Sequence, residues 1–180
     1  MQPYNYTHRT GVLPLTWDDF ARLSARLAEL LEPSRPEIIV GLARGGLFPA
    51  TLVTCSLRVE LYPARLTRRE NDQVVRETPE WKVPISPAVA GKVVAIVDEI
   101  ADSGQTLALA AAQALELGAR QVVTASLVAH SWADPAPQLT ALVTDAFVLF
   151  PWDAQVRLDG QWAPNPEVEV GLKAQESDDV

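Results

Sequence analysis

Val93-Val94-Ala95-Ile96-Val97-Asp98-Glu99-Ile100-Ala101-Asp102-Ser103-Gly104-Gln105-Thr106-Leu107 is the stretch around which the fold is organised. Its first five residues are apolar and mostly β-branched, which predicts a strand buried on both faces. The strand ends in two adjacent carboxylates, Asp98 and Glu99, and a third, Asp102, follows. Charge at the mouth of a buried strand is costly unless something answers it. Ser103-Gly104-Gln105-Thr106 then supplies a glycine, two hydroxyls and a run of backbone N–H groups at the start of an Ala/Leu-rich helix. That is an arrangement by which chains bind phosphate. Acids beside such a turn fit a ligand with sugar hydroxyls, a phosphate and Mg²⁺, and a phosphorylated ribose meets that description.

Upstream, Ile38-Ile39-Val40-Gly41-Leu42 predicts a second strand buried on both faces. It runs into Ala43-Arg44-Gly45-Gly46 and an apolar helix from Leu47 to Ser56, with Pro49 in the first turn. Small residues and one Arg at a strand-to-helix turn form another anion cup, because backbone amides can approach closely. Before it, Thr16 predicts an N-cap with Asp18 and Asp19 in the first turn, and Phe20, Leu23, Leu27, Leu30 and Leu31 follow at helical spacing until Pro33. Val59 to Tyr62 alternates and predicts a half-exposed strand, at an edge. The stretch from Arg65 to Gly91 is charged, weakly patterned and closed by Pro79, Pro84 and Pro87, as expected of a lid or a disordered insert.

Downstream, a helix is expected over Thr106 to Leu117 with Gly118 at its C′ position, then a strand over Gln121 to Ala129. His130 to Gln138, with Trp132, Pro135 and Pro137, predicts a loop, and Asp145 to Phe150 a further strand leading into Pro151-Trp152-Asp153. Residues 173–180 are polar and expected to fray. The whole predicts one α/β domain over residues 1–172: a twisted, mostly parallel sheet flanked by helices on both faces, with a small hood from the chain ends. Its ligand belongs at the carboxyl ends of the strands, where Asp98, Arg44, His130 and Trp152 are all expected.

Composition narrows the classes. Of 180 residues, 48% are hydrophobic, and the mean hydropathy is near zero, as in a globular protein. No apolar run approaches the ~20 residues that cross a bilayer. Residues 1–10 lack the apolar segment of a signal peptide. The one cysteine, Cys55, cannot form an internal disulfide, and a reducing cytoplasm is the expected location. A net charge of −8 argues against general nucleic-acid binding. One cysteine and two histidines exclude a His/Cys metal centre, and neither a Walker-type nor a dinucleotide-type glycine pattern occurs.

The strand, two acids, two spacers, Asp, Ser, Gly, any residue and Thr together resemble the phosphoribosyl-diphosphate (PRPP) signature of type I phosphoribosyltransferases. The resemblance implies that Asp98 and Glu99 hold the ribose hydroxyls, directly or through Mg²⁺, and that Ala101 with Ser103, Gly104, Gln105 and Thr106 cradles the 5′-phosphate. It implies a pyrophosphate loop at Ala43, Arg44 and Gly45, and a mobile loop whose Arg68 and Arg69, among Arg65, Arg68, Arg69 and Arg76, close over the same group. Phe150-Pro151-Trp152-Asp153 resembles a segment of the xanthine-guanine and archaeal 6-oxopurine branch, which implies Trp152 stacking on a purine with Asp153 beside it, and Asp102 as the base for the purine proton. Backbone capping of the next helix is a compatible role for Asp102.

Two positions depart from that pattern. His130 stands where relatives place a Lys that donates to the 6-oxygen, and Gln105 where they often place a cation. His130 is accordingly expected at the base, with one donor and no fixed charge at neutral pH. The resemblance implies transfer of 5-phosphoribosyl from PRPP to guanine, xanthine or hypoxanthine in purine salvage, by a homodimer or homotetramer. A regulator that binds PRPP or a nucleotide on this fold, or a transferase for another base, are the alternatives.

Overall fold

The computed structural model describes residues 9–70, 73–74 and 79–176. In chain order the elements are β1 (Val12–Pro14), α1 (Trp17–Leu31), β2 (Ile38–Leu42), α2 (Leu47–Leu57), β3 (Glu60–Thr67), β4 (Arg69–Glu70), β5 (Gln73–Val74), β6 (Glu80–Val83), β7 (Val93–Ala101), α3 (Gln105–Glu116), β8 (Gln121–Ala129), β9 (Leu139–Val143), β10 (Phe147–Leu149), β11 (Gln155–Leu158), β12 (Gln161–Pro164) and α4 (Pro166–Glu176). They form two compact units, Leu23–Thr144 and a second built from both chain ends, up to Arg22 and from Asp145 onward.

The larger unit holds a six-stranded sheet in the order β6-β3-β2-β7-β8-β9. Every pairing is parallel except β3 with β6. β2 is buried throughout and β7 is buried from Val93 to Val97, as unbroken apolar runs require of strands covered on both faces. The chain leaves β2 through α2 toward β3 on one side, and leaves β7 through α3 toward β8 on the other. Right-handed crossovers in opposite directions put the two helices on opposite faces of the sheet. Their contacts agree: Gly41 of β2 is bare so that Leu47 and Ala50 of α2 can close on it, whereas Ile38, Val40, Leu42, Val94 and Ile96 share a core with Leu107, Ala110 and Ala114 of α3. The junction between β2 and β7 is therefore the topological switch point, and in such sheets ligands bind at the carboxyl ends of the strands that flank it.

Helix ends follow local chemistry. Thr16 and Asp19 form a reciprocal capping box, Thr16 N–H donating to Asp19 at 2.9 Å and Asp19 N–H to Thr16 Oγ1 at 3.1 Å. α3 closes as expected on Gly118 (φ +87°): Gly118 N–H donates to Leu115 O and Ala119 N–H to Ala114 O.

The expectations change in five places. β3 runs on past the expected Tyr62, and its extension over Arg65–Thr67 pairs antiparallel with β6, while Glu60 to Tyr62 keep the half-exposed edge expected of them. Among its described residues the stretch from Arg65 to Gly91 carries regular elements: β3 continues to Thr67, β4 and β5 pair antiparallel, and a 3₁₀ turn over Pro87–Val89 buries Val89. Leu139–Val143 is a sixth sheet strand that its mixed pattern did not announce. The strand expected at Asp145–Phe150 shortens to β10 and leaves the main sheet to pair with β1, so Trp152 is not at a carboxyl end of the six-stranded sheet. Residues 173–176, expected to fray, are the last turn of α4; residues 177–180 lie outside the described residues.

In the smaller unit, Trp152 lies parallel to Phe150 (4.8 Å, 8°), meets Phe20 edge-on (5.3 Å, 87°) and sits 6.1 Å from Trp17. α4 rests Gly171 on the Phe147 ring, where a Cβ would come within 2.6 Å of it.

Candidate active site

The switch point brings two turns together. β2 ends at Leu42, and Ala43 N–H still donates to Ala64 O of β3 at 2.7 Å. The Ala43–Arg44 peptide is cis, and α2 begins at once, Leu47 N–H bonding to Arg44 O and Phe48 N–H to Gly45 O. Arg44 is exposed. Gly45 and Gly46 lie directly against the acids of β7: a Cβ on Gly45 would collide with the Glu99 carboxyl, and one on Gly46 would stand 2.8 Å from Asp98 Oδ1 and 2.6 Å from Leu42 O. Both positions need glycine for close approach rather than for backbone freedom.

Asp98 and Glu99 are half-buried, with Gly46 packed against Asp98 and Gly45 against the Glu99 carboxyl. Asp98 Oδ1 accepts the Glu99 N–H at 3.0 Å, and the Gly46 backbone donates to the Glu99 carboxyl. Burial pushes Glu99 well above the usual carboxylate range, and the neighbouring Asp98 charge pushes it further. Burial also raises Asp98. The pair is short of positive charge.

Beyond Ala101, Ser103 is exposed, Gly104 is buried at φ +77°, and α3 starts at Gln105. Gly104, and not Asp102, occupies the N-cap position of α3. The first N–H groups of α3, from Gln105 and Thr106 onward, have no intrahelical acceptor and carry the positive end of the helix dipole. The loop after β8 is laid residue by residue onto this turn. His130 N–H donates to Ala101 O, Trp132 Nε1 to Asp102 Oδ1 at 3.2 Å, and Asp134 N–H to Ser103 O. The cis peptide Asp134–Pro135 then puts Pro135 against Gly104, where a Cβ would lie within 2.9 Å of the Pro135 carbonyl carbon.

The expected site residues therefore sort as follows. Ala43, Arg44 and Gly45 belong to the turn that lies against Asp98 and Glu99, and Ala101, Asp102, Ser103, Gly104, Gln105 and Thr106 run from the end of β7 into α3. Arg68 is a half-buried bend residue between β3 and β4, Arg69 opens β4, and Arg76 lies outside the described residues. Trp152 and Asp153 belong to the other unit; Asp153 N–H closes a turn on Phe150 O at 3.0 Å. His130 needs correction as a base contact. Its side chain has no accessible surface, its Nδ1 bonds to Thr144 O at 2.7 Å, and Trp132 stacks on its ring (4.3 Å, 16°). Gly46 and Trp132 join the site although only the repeated glycine hinted at either.

Residues 14–157 match the phosphoribosyl transferase domain model. The chain belongs to that family. It is 29% identical over 153 residues to the xanthine-guanine phosphoribosyltransferase of Nitratidesulfovibrio vulgaris, a span of 81% of this chain and 87% of that protein. A purine phosphoribosyltransferase structure from Pyrococcus horikoshii superposes with a TM-score of 0.71 at 30% identity, covering 79% of this chain and 94% of that one. A Neisseria gonorrhoeae protein solved with bound ppGpp covers 95% of this chain and 99% of its own at a TM-score of 0.68, and at 24% identity that likeness is one of fold. Among the described residues no helix is long and apolar enough to cross a membrane.

Proposed function

We propose that this phosphoribosyltransferase moves the 5-phosphoribosyl group of PRPP onto a 6-oxopurine (guanine, xanthine or hypoxanthine), releasing pyrophosphate, as a cytoplasmic, Mg²⁺-dependent purine-salvage enzyme. The observation that carries this reading is the acid pair Asp98–Glu99, short of positive charge and held between two anion-binding turns at the switch point. The purine specificity of the relatives supports the choice of base.

The donor set suits Mg²⁺. That ion is usually held by one or two carboxylates together with substrate oxygens and water, rather than by an all-protein cage. Among the described residues no group of three His, Cys, Asp or Glu could hold a metal ion, so the two adjacent acids need substrate to complete a site. When bound, the cation supplies charge that offsets the negative charge of the departing pyrophosphate.

The chain's own residues do the rest. Asp98 and Glu99 orient the ribose through its hydroxyls. The backbone N–H groups of Ala101 and Ser103 to Thr106 fix the 5′-phosphate, and Gln105 adds no charge to them. Ala43, Arg44 and Gly45, with Arg68 and Arg69, receive the pyrophosphate as the bond at C1 breaks. Asp102 takes the proton of the attacking purine nitrogen. The resemblance assigns base stacking, worth about 1–3 kcal/mol per base, to Trp152, with Asp153 beside it.

A second reading is a nucleotide-binding regulator on the same fold. The burial of His130, where relatives place an exposed cation, favours it, since the 6-oxygen then lacks its usual donor. Competition among guanine, xanthine, hypoxanthine, adenine and uracil for PRPP, followed by pyrophosphate release, separates these readings. Release with 6-oxopurines supports the enzyme, release with adenine or uracil reassigns the base, and nucleotide binding without release supports the regulator.

A further inference from the structure

A nitrogen facing Asp102 stands buried and unanswered. His130 closes β8 with its side chain wholly covered, and its Nδ1 meets the Thr144 carbonyl at 2.7 Å. A carbonyl only accepts, so Nδ1 carries a hydrogen, and in the tautomer that this bond selects the lone pair is on Nε2. Nε2 is buried, has no hydrogen-bond partner among the described residues, and lies 3.8 Å from Asp102 Oδ1. Two acceptors confronting each other out of water is an unfavourable arrangement that one added proton would resolve. Trp132 keeps the ring in place by stacking on it while donating its indole N–H to the same Asp102 oxygen. From the surrounding elements, the turn after β7 contributes the facing carboxylate of Asp102, the loop after β8 contributes Trp132, and the end of β9 contributes the Thr144 carbonyl.

We propose that His130 is a positioning residue for Asp102: Nε2 accepts the hydrogen bond of the proton that Asp102 removes from the purine, and so fixes the carboxyl that forms. The inference rests on Asp102 acting as the base. As the purine nitrogen attacks C1, its N–H bond breaks, its electron pair forms the C–N bond, and pyrophosphate leaves with the C1–O pair. The proton moves to Asp102, and the resulting carboxyl donates to Nε2 across a gap that closes when the site is filled, as catalytic hydrogen bonds often do. The proton returns to solvent after the nucleotide departs. A residue that in relatives is expected to reach the base has here become the inner partner of the base's proton acceptor.

Two measurements test this. The chain has two histidines, so nitrogen-15 NMR with a His8→Gln control isolates the His130 ring. The expected spectrum shows hydrogen on Nδ1 and a bare Nε2, with the Nε2 resonance displaced in Asp102→Asn. Hydrogen on Nε2, or an Nε2 signal indifferent to Asp102→Asn, overturns the proposal even if every His130 variant misfolds. In steady-state assays, His130→Asn keeps a donor for Thr144 and removes the group facing Asp102. The expected result is a 10- to 100-fold lower kcat, an altered acid limb of the kcat–pH profile and an unchanged Kd for PRPP. Wild-type kcat and pH profile in that variant contradict the proposal. If instead Asp102→Asn retains full turnover, the underlying assignment of Asp102 has failed, a different outcome from a silent His130 variant alone.

Discussion

At the amino-terminal end of the central sheet, Glu37 is answered from every direction. Val93 N–H donates to it at 3.0 Å, Lys92 Nζ at 3.1 Å and an Arg120 guanidinium nitrogen at 2.9 Å, which ties the entries of β2, β7 and β8 together. Its carboxyl is held below the usual range, first by the Val93 N–H bond and then by the Lys92 bond. At the other end of the same strands, Asp98 and Glu99 face each other and a few amides, and both are raised. The contrast separates two uses of one chemistry. A carboxylate that fastens strands brings its partners from the chain, whereas a pair left short of charge at a switch point is poised for a partner from outside.

The largest expected effect lies with the third acid at the site end. Asp102→Asn should lower kcat by about 10²–10⁴-fold, the span usual for general acid–base groups, with the Kd for PRPP unchanged by calorimetry. Glu99→Gln comes next, because it should break activity while improving the fold. A raised carboxyl stabilises the folded state fully below the ordinary carboxylate range, and that contribution is lost as pH rises through its elevated value. Removing the charge should therefore raise the Tm of the unliganded protein at pH 7 while turnover collapses. A lower Tm would mean that the pair is already compensated.

Gly45→Ala tests close approach. Its Cβ meets the Glu99 carboxyl, so a Tm loss matching about 1–3 kcal/mol of overpacking is expected, with weaker pyrophosphate binding. The smallest effect belongs to the other end. Glu37→Gln should lower Tm modestly at pH 7 and leave kcat untouched. The contribution of a depressed carboxyl is present above the ordinary range and lost as pH falls through its lowered value, so wild type and variant should converge in acid.

How much of this was legible in sequence follows the same division. β2 and β7 read directly because burial on both faces leaves an unbroken apolar signature, and the two turns read because glycine, hydroxyls and acids stand at fixed offsets from strand ends. β9 did not read: it follows Pro135 and Pro137 and is only partly buried, so neither alternation nor an apolar run marks it. β6 hides for a like reason, as an exposed edge strand whose pairing with β3 supplies the order its own residues lack. His130 reads as a base contact from its place at a strand end, because the carbonyl that holds its ring comes from Thr144, beyond β9. The aromatic stack around Trp152 draws on Phe20 and Trp17 from the opposite end of the chain, a proximity that no local pattern encodes.

Calorimetric titration of PRPP, with and without Mg²⁺, into wild type and an Asp98→Asn/Glu99→Gln variant tests the central claim most directly. Wild type should bind at least 10-fold more tightly with Mg²⁺ present, and the variant should lose both that gain and most of its affinity. Equal affinities in all four titrations would contradict the account.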